Sequence, residues 1–383
     1  MTKDPLNGRG ARSNASGRYE RFATEAFDDG WTAEEMRPLE TIVTPELAKS
    51  IISTNDSPDI SFDQSINPYR GCEHGCIYCY ARPNHAYVGL SPGLDFETKL
   101  FVKANAVELL EAEFAKPRYR PKTIMLGGVT DVYQPIERGY GITRGILETM
   151  ERWRHPVSLI TKSQLIIRDI DVLARLAERG LAKAAISVTT LERRIARVME
   201  PRAAAPHRRI EAIRMLAEAG VPVTVMVAPI VPAINDSEIE AILEEAAKAG
   251  ATSAGYVVLR MPHEIKDLFR EWLATHFPDR ATRVISIVRQ MRGGRDYDPE
   301  WSKRQKGEGP YAKLIAARFA AACRRFGLDK PRLPLDTTQF RRPLEAGGQA
   351  DLFSTLEEER RAATSKLRYT IDRPPSAGAV RED

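Results

Sequence analysis

From residue 61 to residue 259 the chain alternates short apolar runs with longer stretches whose apolar residues recur every three or four positions. The first pattern suits strands buried on both faces and the second suits helices with one apolar stripe. Their alternation is the signature of successive βα units around a parallel sheet. It predicts strands over 61–67, 123–127, 157–161, 184–189, 223–229 and 255–259, with helices over 98–115, 143–154, 169–179, 206–219 and 237–249. In the helix over 206–219, Ile210, Ile213, Leu216 and Ala217 form the stripe and Gly220 stops it. Asn235, Asp236 and Ser237 offer side-chain oxygens to the start of the next helix. The class is α/β, a partial (β/α)6 barrel of the TIM type, and such barrels gather their chemistry in loops at the C-terminal ends of the strands.

The flanks break this rhythm. Residues 1–35 are rich in Gly, Ser, Asn, Arg and acids and read as a largely disordered tail, followed over 36–60 by an irregular arm packed across the core. Past Pro262, Leu268, Phe269, Trp272 and Leu273 mark an amphipathic helix, a Gly- and Arg-rich loop spans 292–295, and another helix spans 311–326. The organisation is therefore a tail and arm over 1–59, a core barrel over 60–262, a helical extension over 263–345 that covers the open side of the barrel, and a disordered charged tail over 346–383. Within that last tail, Asp351 to Ser354 read as a small docking element.

Composition adds bounds rather than detail. A chain of 383 residues accommodates an α/β barrel of about 200–250 residues. Its 43% hydrophobic content includes no apolar stretch long enough to span a bilayer, so no membrane partner is expected. The polar, basic opening is unlike an export signal and points to the cytoplasm.

Four cysteines change the picture, because Cys72, Cys76 and Cys79 lie within eight residues while Cys323 is remote, on the apolar face of the last helix. An odd cluster with one distant partner is poor disulfide arithmetic. Three thiolates in one loop can hold three corners of a cubane iron–sulfur cluster and leave the fourth iron open to a small molecule, whereas an electron carrier normally supplies a fourth cysteine. Zinc held by the three cysteines with His74 or His85 is the alternative, and it would make the chain a non-catalytic nucleic-acid-binding protein. The motif directly follows the first predicted strand, which places it on the face where such barrels carry their chemistry.

The run Cys72-Glu-His-Gly-Cys76-Ile-Tyr-Cys79 resembles the signature of the radical S-adenosylmethionine (SAM) enzymes, Cys-x3-Cys-x2-Cys with an aromatic, here Tyr78, before the third cysteine. Its surroundings, Asn67-Pro-Tyr-Arg-Gly71 before and Tyr80-Ala-Arg82 after, resemble the subgroup related to spore photoproduct lyase. The resemblance implies a [4Fe-4S] cluster on Cys72, Cys76 and Cys79, SAM at the open iron, and an electron donor such as a flavodoxin or ferredoxin. The implied reaction is reductive cleavage of SAM followed by hydrogen abstraction from an unidentified substrate. It further implies that the backbone at Gly127 and Gly128 approaches the methionyl ammonium and that Ser187 and Thr189, two apart on one strand face, reach the ribose. Arg202 and Arg209 are candidates to fork the methionyl carboxylate. Each also has an ordinary reading: a turn at the glycines, a capped strand end, a structural ion pair at Arg209. Lys162 ends the third strand and reaches the mouth, while Asp131 and Tyr133 line the substrate side or order their loop. Spore photoproduct lyase uses an additional cysteine beside the second strand, and the stretch from Leu126 to Asp131 has none, which argues against thymine-dimer repair.

Net charge is only +5, but residues 289–326 carry ten Lys and Arg against four acids. Around Tyr297 and Trp301 these cations could track phosphates while the aromatics stack bases, or they could form a solvated surface; neutralising Arg292, Arg295, Lys303 and Arg304 would tell the two apart.

Overall fold

The six apolar runs pair side by side. The computed structural model describes residues 8–20, 39–330 and 334–343. Its strands are β1 (Ile42–Glu46), β2 (Ile52–Thr54), β3 (Gln64–Ile66), β4 (Tyr69–Arg70), β5 (Lys99–Lys103), β6 (Ile124–Leu126), β7 (Val157–Thr161), β8 (Ala182–Ser187), β9 (Val223–Ile230) and β10 (Ser253–Val258). The main sheet runs in the order β10-β9-β8-β7-β6-β3-β2. Its members from β3 to β10 are parallel, as βα connections require, and β2 adds an antiparallel edge. This is a partial (β/α)6 barrel. Ile66, Leu126, Leu159, Ile186 and Val225 from successive strands meet in one buried core with the apolar stripes of the surrounding helices.

Two sequence expectations give way. The helix expected over 98–115 begins only at Ala106 and ends at Ala115; residues 99–103 are β5 instead. The run Lys99-Leu-Phe-Val-Lys103 alternates with period two: Leu100 and Val102 are buried, Lys99 is exposed and Phe101 and Lys103 are half-buried. β5 pairs with β1 and β4 in a second, three-stranded sheet, so the arm expected to be irregular supplies β1 to this sheet and β2 to the main one.

The tail expected over 1–35 is pinned along residues 8–20; residues 21–38 lie outside the described residues, as does the element at Asp351. The N–H groups of Gly10 and Ala11 donate to the two oxygens of Glu97 at 2.9 and 2.8 Å. Arg9 donates to the Glu97 carbonyl (3.1 Å), and Asn14 exchanges two 3.0 Å hydrogen bonds with Asp95. This strap also reaches the helix Ile265–His276, through Ser13 to Glu271 (2.7 Å) and Arg18 to Glu264 (2.9 Å). Compositional bias did not reveal it because its anchors are backbone N–H groups and polar side chains whose partners, Asp95, Glu97, Glu264 and Glu271, lie far away in the sequence.

The extension packs on both ends of the fold. In the helix Gly309–Phe326, Ile315, Phe319 and Cys323 enter the main core, with Phe319 4.6 Å from the Tyr256 ring of β10. The helix Ile265–His276 packs instead on Cys76, Ile77 and Tyr78, and the Trp272 indole donates to the Val198 carbonyl at 2.9 Å. Between these helices the loop at 302–304 meets the β2–β3 connection: Arg304 pairs with Asp59 (2.5 Å) and Ser302 N–H donates to the same carboxylate (2.6 Å). The two edges of the incomplete barrel are thereby tied together.

Candidate active site at the open end of the barrel

The cysteine loop hangs from the C-terminal end of β3. Asn67, just past that strand, accepts hydrogen bonds from Val129 N–H (2.8 Å) and Thr130 N–H (3.4 Å), clamping the loop after β6 beside it. The loop is wound by turns from Cys72 O to Gly75 N–H (3.3 Å) and from Cys76 O to Cys79 N–H (3.2 Å). Arg82 braces these turns from the buried side. That fully buried guanidinium donates to Cys76 O (2.9 Å), Gly75 O (3.0 Å) and Gly93 O (2.9 Å), and pairs with Glu97 at 2.5 Å. Glu97 is the same carboxylate that anchors the strap, so strap and loop share one support.

The other side of the loop is held by the turn after β8. Ile77 N–H donates to Met199 O (3.1 Å) and Arg202 N–H to His74 O (3.3 Å). His74 lies 3.3 Å from Asp131, whose carboxylate also accepts from Thr161 Oγ1 (2.6 Å), Lys162 N–H (2.8 Å) and Tyr133 N–H (2.9 Å). The Asp131 backbone also acts on the Cys72 thiol, partly offsetting the rise in its pKa. Burial alone would raise the Asp131 pKa, but His74 and these donors outweigh it and hold the carboxyl well below the usual range. One residue of the β6 loop thus joins β7, His74 and the first cysteine.

None of the three cysteines is in a disulfide; Cys72 and Cys76 are buried and Cys79 half-buried. Burial pushes the Cys72 thiol well up, reinforced by Asp131, and the Cys76 thiol up to about 12, reinforced by Glu200. Thiols in such a setting stay protonated unless a metal takes the proton's place. Among the described residues no group of three or more His, Cys, Asp or Glu is arranged to hold a single metal ion, as zinc with His74 or His85 would need. His85 instead bonds the Lys99 carbonyl at 2.9 Å. A cubane cluster needs no convergence on one point, since each thiolate takes a different iron, and three soft donors in a desolvated loop suit it.

Inside the mouth, Glu200 organises a buried polar network that sequence reasoning missed. It accepts from Thr189 Oγ1 (2.6 Å) and Tyr78 Oη, and meets the Arg209 guanidinium at 2.5 Å. Burial opposes its charge, yet Arg209 and Lys162 keep its pKa below the ordinary value. Arg209 is itself almost fully buried and donates to Ala204 O (2.7 Å) and Ser187 O (3.2 Å). Arg202 pairs with Glu73 at 2.6 Å and its side chain is 38% exposed, so it stands at the rim. Tyr78, Ser187, Thr189 and Arg209 are thus brought together around Glu200, and Arg202 stands outside that network. Among the described residues Lys162 has no carboxylate in ion-pair range; its ammonium lies 5.7 Å from the Tyr78 ring, and burial is outweighed by Cys76 and Glu200 so that its pKa rises.

Gly127 turns at φ +89°, and a Cβ there would come within 2.7 Å of the Ile160 carbonyl, so only glycine makes this bend. Gly128 has room for a side chain, its nearest neighbour standing 3.7 Å from a built Cβ, and its carbonyl accepts from Tyr80 Oη. Tyr133 is buried beneath the Arg168 guanidinium, 6.0 Å away, and orders its loop rather than facing the mouth.

Half of the ten cations of the basic extension are tied to partners within the fold. Arg289 pairs with Asp296, Lys303 with Glu300 and Glu308, Arg304 with Asp59 and Arg318 with Glu240. Arg292 is 2% exposed and donates to Lys303 O and Leu259 O. Neutralising Arg292, Lys303 or Arg304 therefore breaks internal contacts, and of the four positions named from sequence only Arg295 is an exposed side chain.

Comparison with known proteins agrees with this geometry. The Radical SAM superfamily profile matches residues 66–246, spanning the cysteine loop, the glycines and the Glu200 network. An uncharacterized protein of Mycobacterium tuberculosis is 34% identical over 233 residues, 60% of this chain and 68% of that relative. The chain belongs to the radical SAM superfamily. Its fold is similar to that of spore photoproduct lyase: a Cys-to-Ser variant aligns with a TM-score of 0.52 at 15% identity, covering 81% of this chain and 86% of that one. Spore photoproduct lyase complexed with a dinucleoside spore photoproduct aligns at 0.54, also at 15% identity, covering 74% and 79%. Among the described residues no helix is long and apolar enough to cross a membrane.

Proposed function

We propose that this protein holds a [4Fe-4S] cluster on Cys72, Cys76 and Cys79 and uses it to cleave SAM and abstract hydrogen from a substrate at the barrel mouth. The observation that carries the reading is the three-thiol loop itself: desolvated, free of disulfides and braced from one side by Arg82 and from the other by Asp131. Bound there, the reduced cluster would supply one-electron cleavage of SAM to methionine and a 5′-deoxyadenosyl radical that takes the hydrogen atom. The turn at Gly127 would bring backbone toward the methionyl group. Lys162, the ammonium without a carboxylate partner, would take the methionyl carboxylate in place of Arg209, which serves to hold Glu200 ionised. Ser187 and the Thr189–Glu200–Tyr78 network would orient the nucleoside. A flavodoxin- or ferredoxin-type donor would deliver the electron.

The test is anaerobic reconstitution with iron and sulfide, reduction with dithionite in the presence of SAM, and chromatography of 5′-deoxyadenosine. Wild type should form it and Cys76→Ala should not; stoichiometric zinc without a cluster would sink the reading.

A nucleic-acid substrate is a second reading, supported by the exposed Tyr80 and Trp301 rings (47% and 49%) and by Arg260 over Tyr80 at 5.1 Å. Oligonucleotide binding that weakens with salt and with Arg295→Ala would favour it.

A further inference from the structure

Among the described residues two guanidiniums at the end of β10 have no carboxylate partner, whereas Arg289, Lys303, Arg304 and Arg318 nearby each have one. Arg260 follows the last barrel strand by two positions. Its Cζ stands 5.1 Å from the Tyr80 ring, and its one side-chain hydrogen bond is a long 3.4 Å contact with the Tyr297 hydroxyl. Its Nε is buried and has no hydrogen-bond partner. Arg292 lies behind it, 2% exposed, anchored through Nη1 to Lys303 O (2.6 Å) and Nη2 to Leu259 O (3.0 Å), and its Nε is likewise buried without a partner. Neither forms an ion pair among the described residues. Asp298 acts on Arg292 only through space, and Asp59, which feels Arg260, is already bound by Arg304 and Ser302. Burial, and then repulsion from Arg260, lowers the Arg292 pKa to about 10.

A buried guanidinium (Arg292) and a half-buried one (Arg260) that repel each other and each keep a buried, unused Nε donor cost stability, and fold stability alone does not account for them. The location does. Arg260 stacks across the gap of the partial barrel onto Tyr80, the residue next to Cys79, and the Tyr80 hydroxyl bonds Gly128 O at the mouth.

We propose that Arg260, backed by Arg292, is the subsite for an oxyanion of the substrate, a carboxylate or phosphate group held at the mouth while the rest of the molecule extends toward the cysteine loop. Arg260 presents planar donors that suit either anion, and Arg292 adds charge from a position shielded from water. This inference rests on the proposed active site for its location, not for its chemistry.

The test is calorimetric titration of the reconstituted full-length protein at low ionic strength with inorganic phosphate, dimethyl phosphate and acetate as separate titrants. These distinguish a phosphomonoester, a phosphodiester and a carboxylate as the group recognised. Wild type should bind at least one, Arg260→Gln should weaken it about tenfold or more, and Arg260→Lys, which keeps the charge but loses the planar fork, should fall between the two. Equal affinity in wild type and Arg260→Gln, equal losses in the Gln and Lys variants, or no saturable binding of any titrant by wild type below about 20 mM would overturn the proposal. Iron and sulfide content, measured on the same samples, separates its failure from failure of the cluster reading: loss of anion binding with a full cluster, or anion binding without any cluster, each leaves the other conclusion untouched.

Discussion

Substituting Gly10 by alanine tests whether the N-terminal strap is a built part of the site. A Cβ at Gly10 would lie 1.8 Å from the Gly75 carbonyl oxygen and 3.0 Å from its carbon. The obstacle is backbone inside the cysteine loop, held by Arg82, so it cannot step aside as a flexible side chain would. The strap must lift instead. It then loses the Gly10 and Ala11 N–H bonds to Glu97, each of the charge-assisted kind contributing about 1.5–3 kcal/mol, for a total of about 3–6 kcal/mol. Glu97 keeps its 2.5 Å pair with Arg82, so the loss should stay local and the barrel should remain folded. Native-state hydrogen exchange reads this directly. Amides in the strap should exchange about a hundredfold or more faster in Gly10→Ala, while those of β8 keep their wild-type rates. Gly139→Ala, where a new Cβ meets nothing within 4 Å, is the control. Unchanged strap protection in Gly10→Ala would refute the reasoning.

Two further predictions address other parts of the molecule. Asp131→Asn keeps the shape of the side chain but removes the charge facing His74, so the reconstituted cluster should lose iron to a chelator about tenfold faster; an unchanged rate would show that Asp131 does not support the cysteine loop. His155 is fully buried between Phe114 (centroids 4.4 Å) and the Tyr119 hydroxyl (2.8 Å), and burial lowers its pKa from 6.5 to about 3. Between those values the unfolded chain takes up a proton that the fold refuses. The stability this neutral imidazole contributes is therefore complete above the unfolded pKa and falls as pH drops, with a slope approaching about 1.4 kcal/mol per unit, levelling off near the folded value. Urea midpoints measured across this range for wild type and His155→Phe should diverge in slope, and parallel curves would count against it.

How much could be read from the chain follows from the range of each interaction. The six barrel strands were legible because burial on both faces imposes an apolar run that five or so consecutive residues carry by themselves. β5 was misread as helix because Leu100, Phe101 and Val102 form a short apolar run next to a true helical stripe, and periodicity over so few residues does not separate the two. The cysteine loop was legible through its spacing, which covalent connectivity places directly after β3. Glu200 was not: in sequence it is one more acid near a helix end, and only the turn after β8 carries it into the mouth against Tyr78, Thr189 and Arg209.

The basic stretch over 289–326 shows the same limit from the other side, since a count of charges does not reveal which of them have partners. The sequence by itself determined the class of fold and the position of the three-cysteine loop, because periodicity and close spacing are properties of neighbouring residues. Only the tertiary structure decided that the N-terminal segment braces that loop, that Arg209 belongs to Glu200, and that Arg260 and Arg292 are left without carboxylates among the described residues. Whether a charge is satisfied depends on groups brought together from distant parts of the chain, and no local pattern records that meeting.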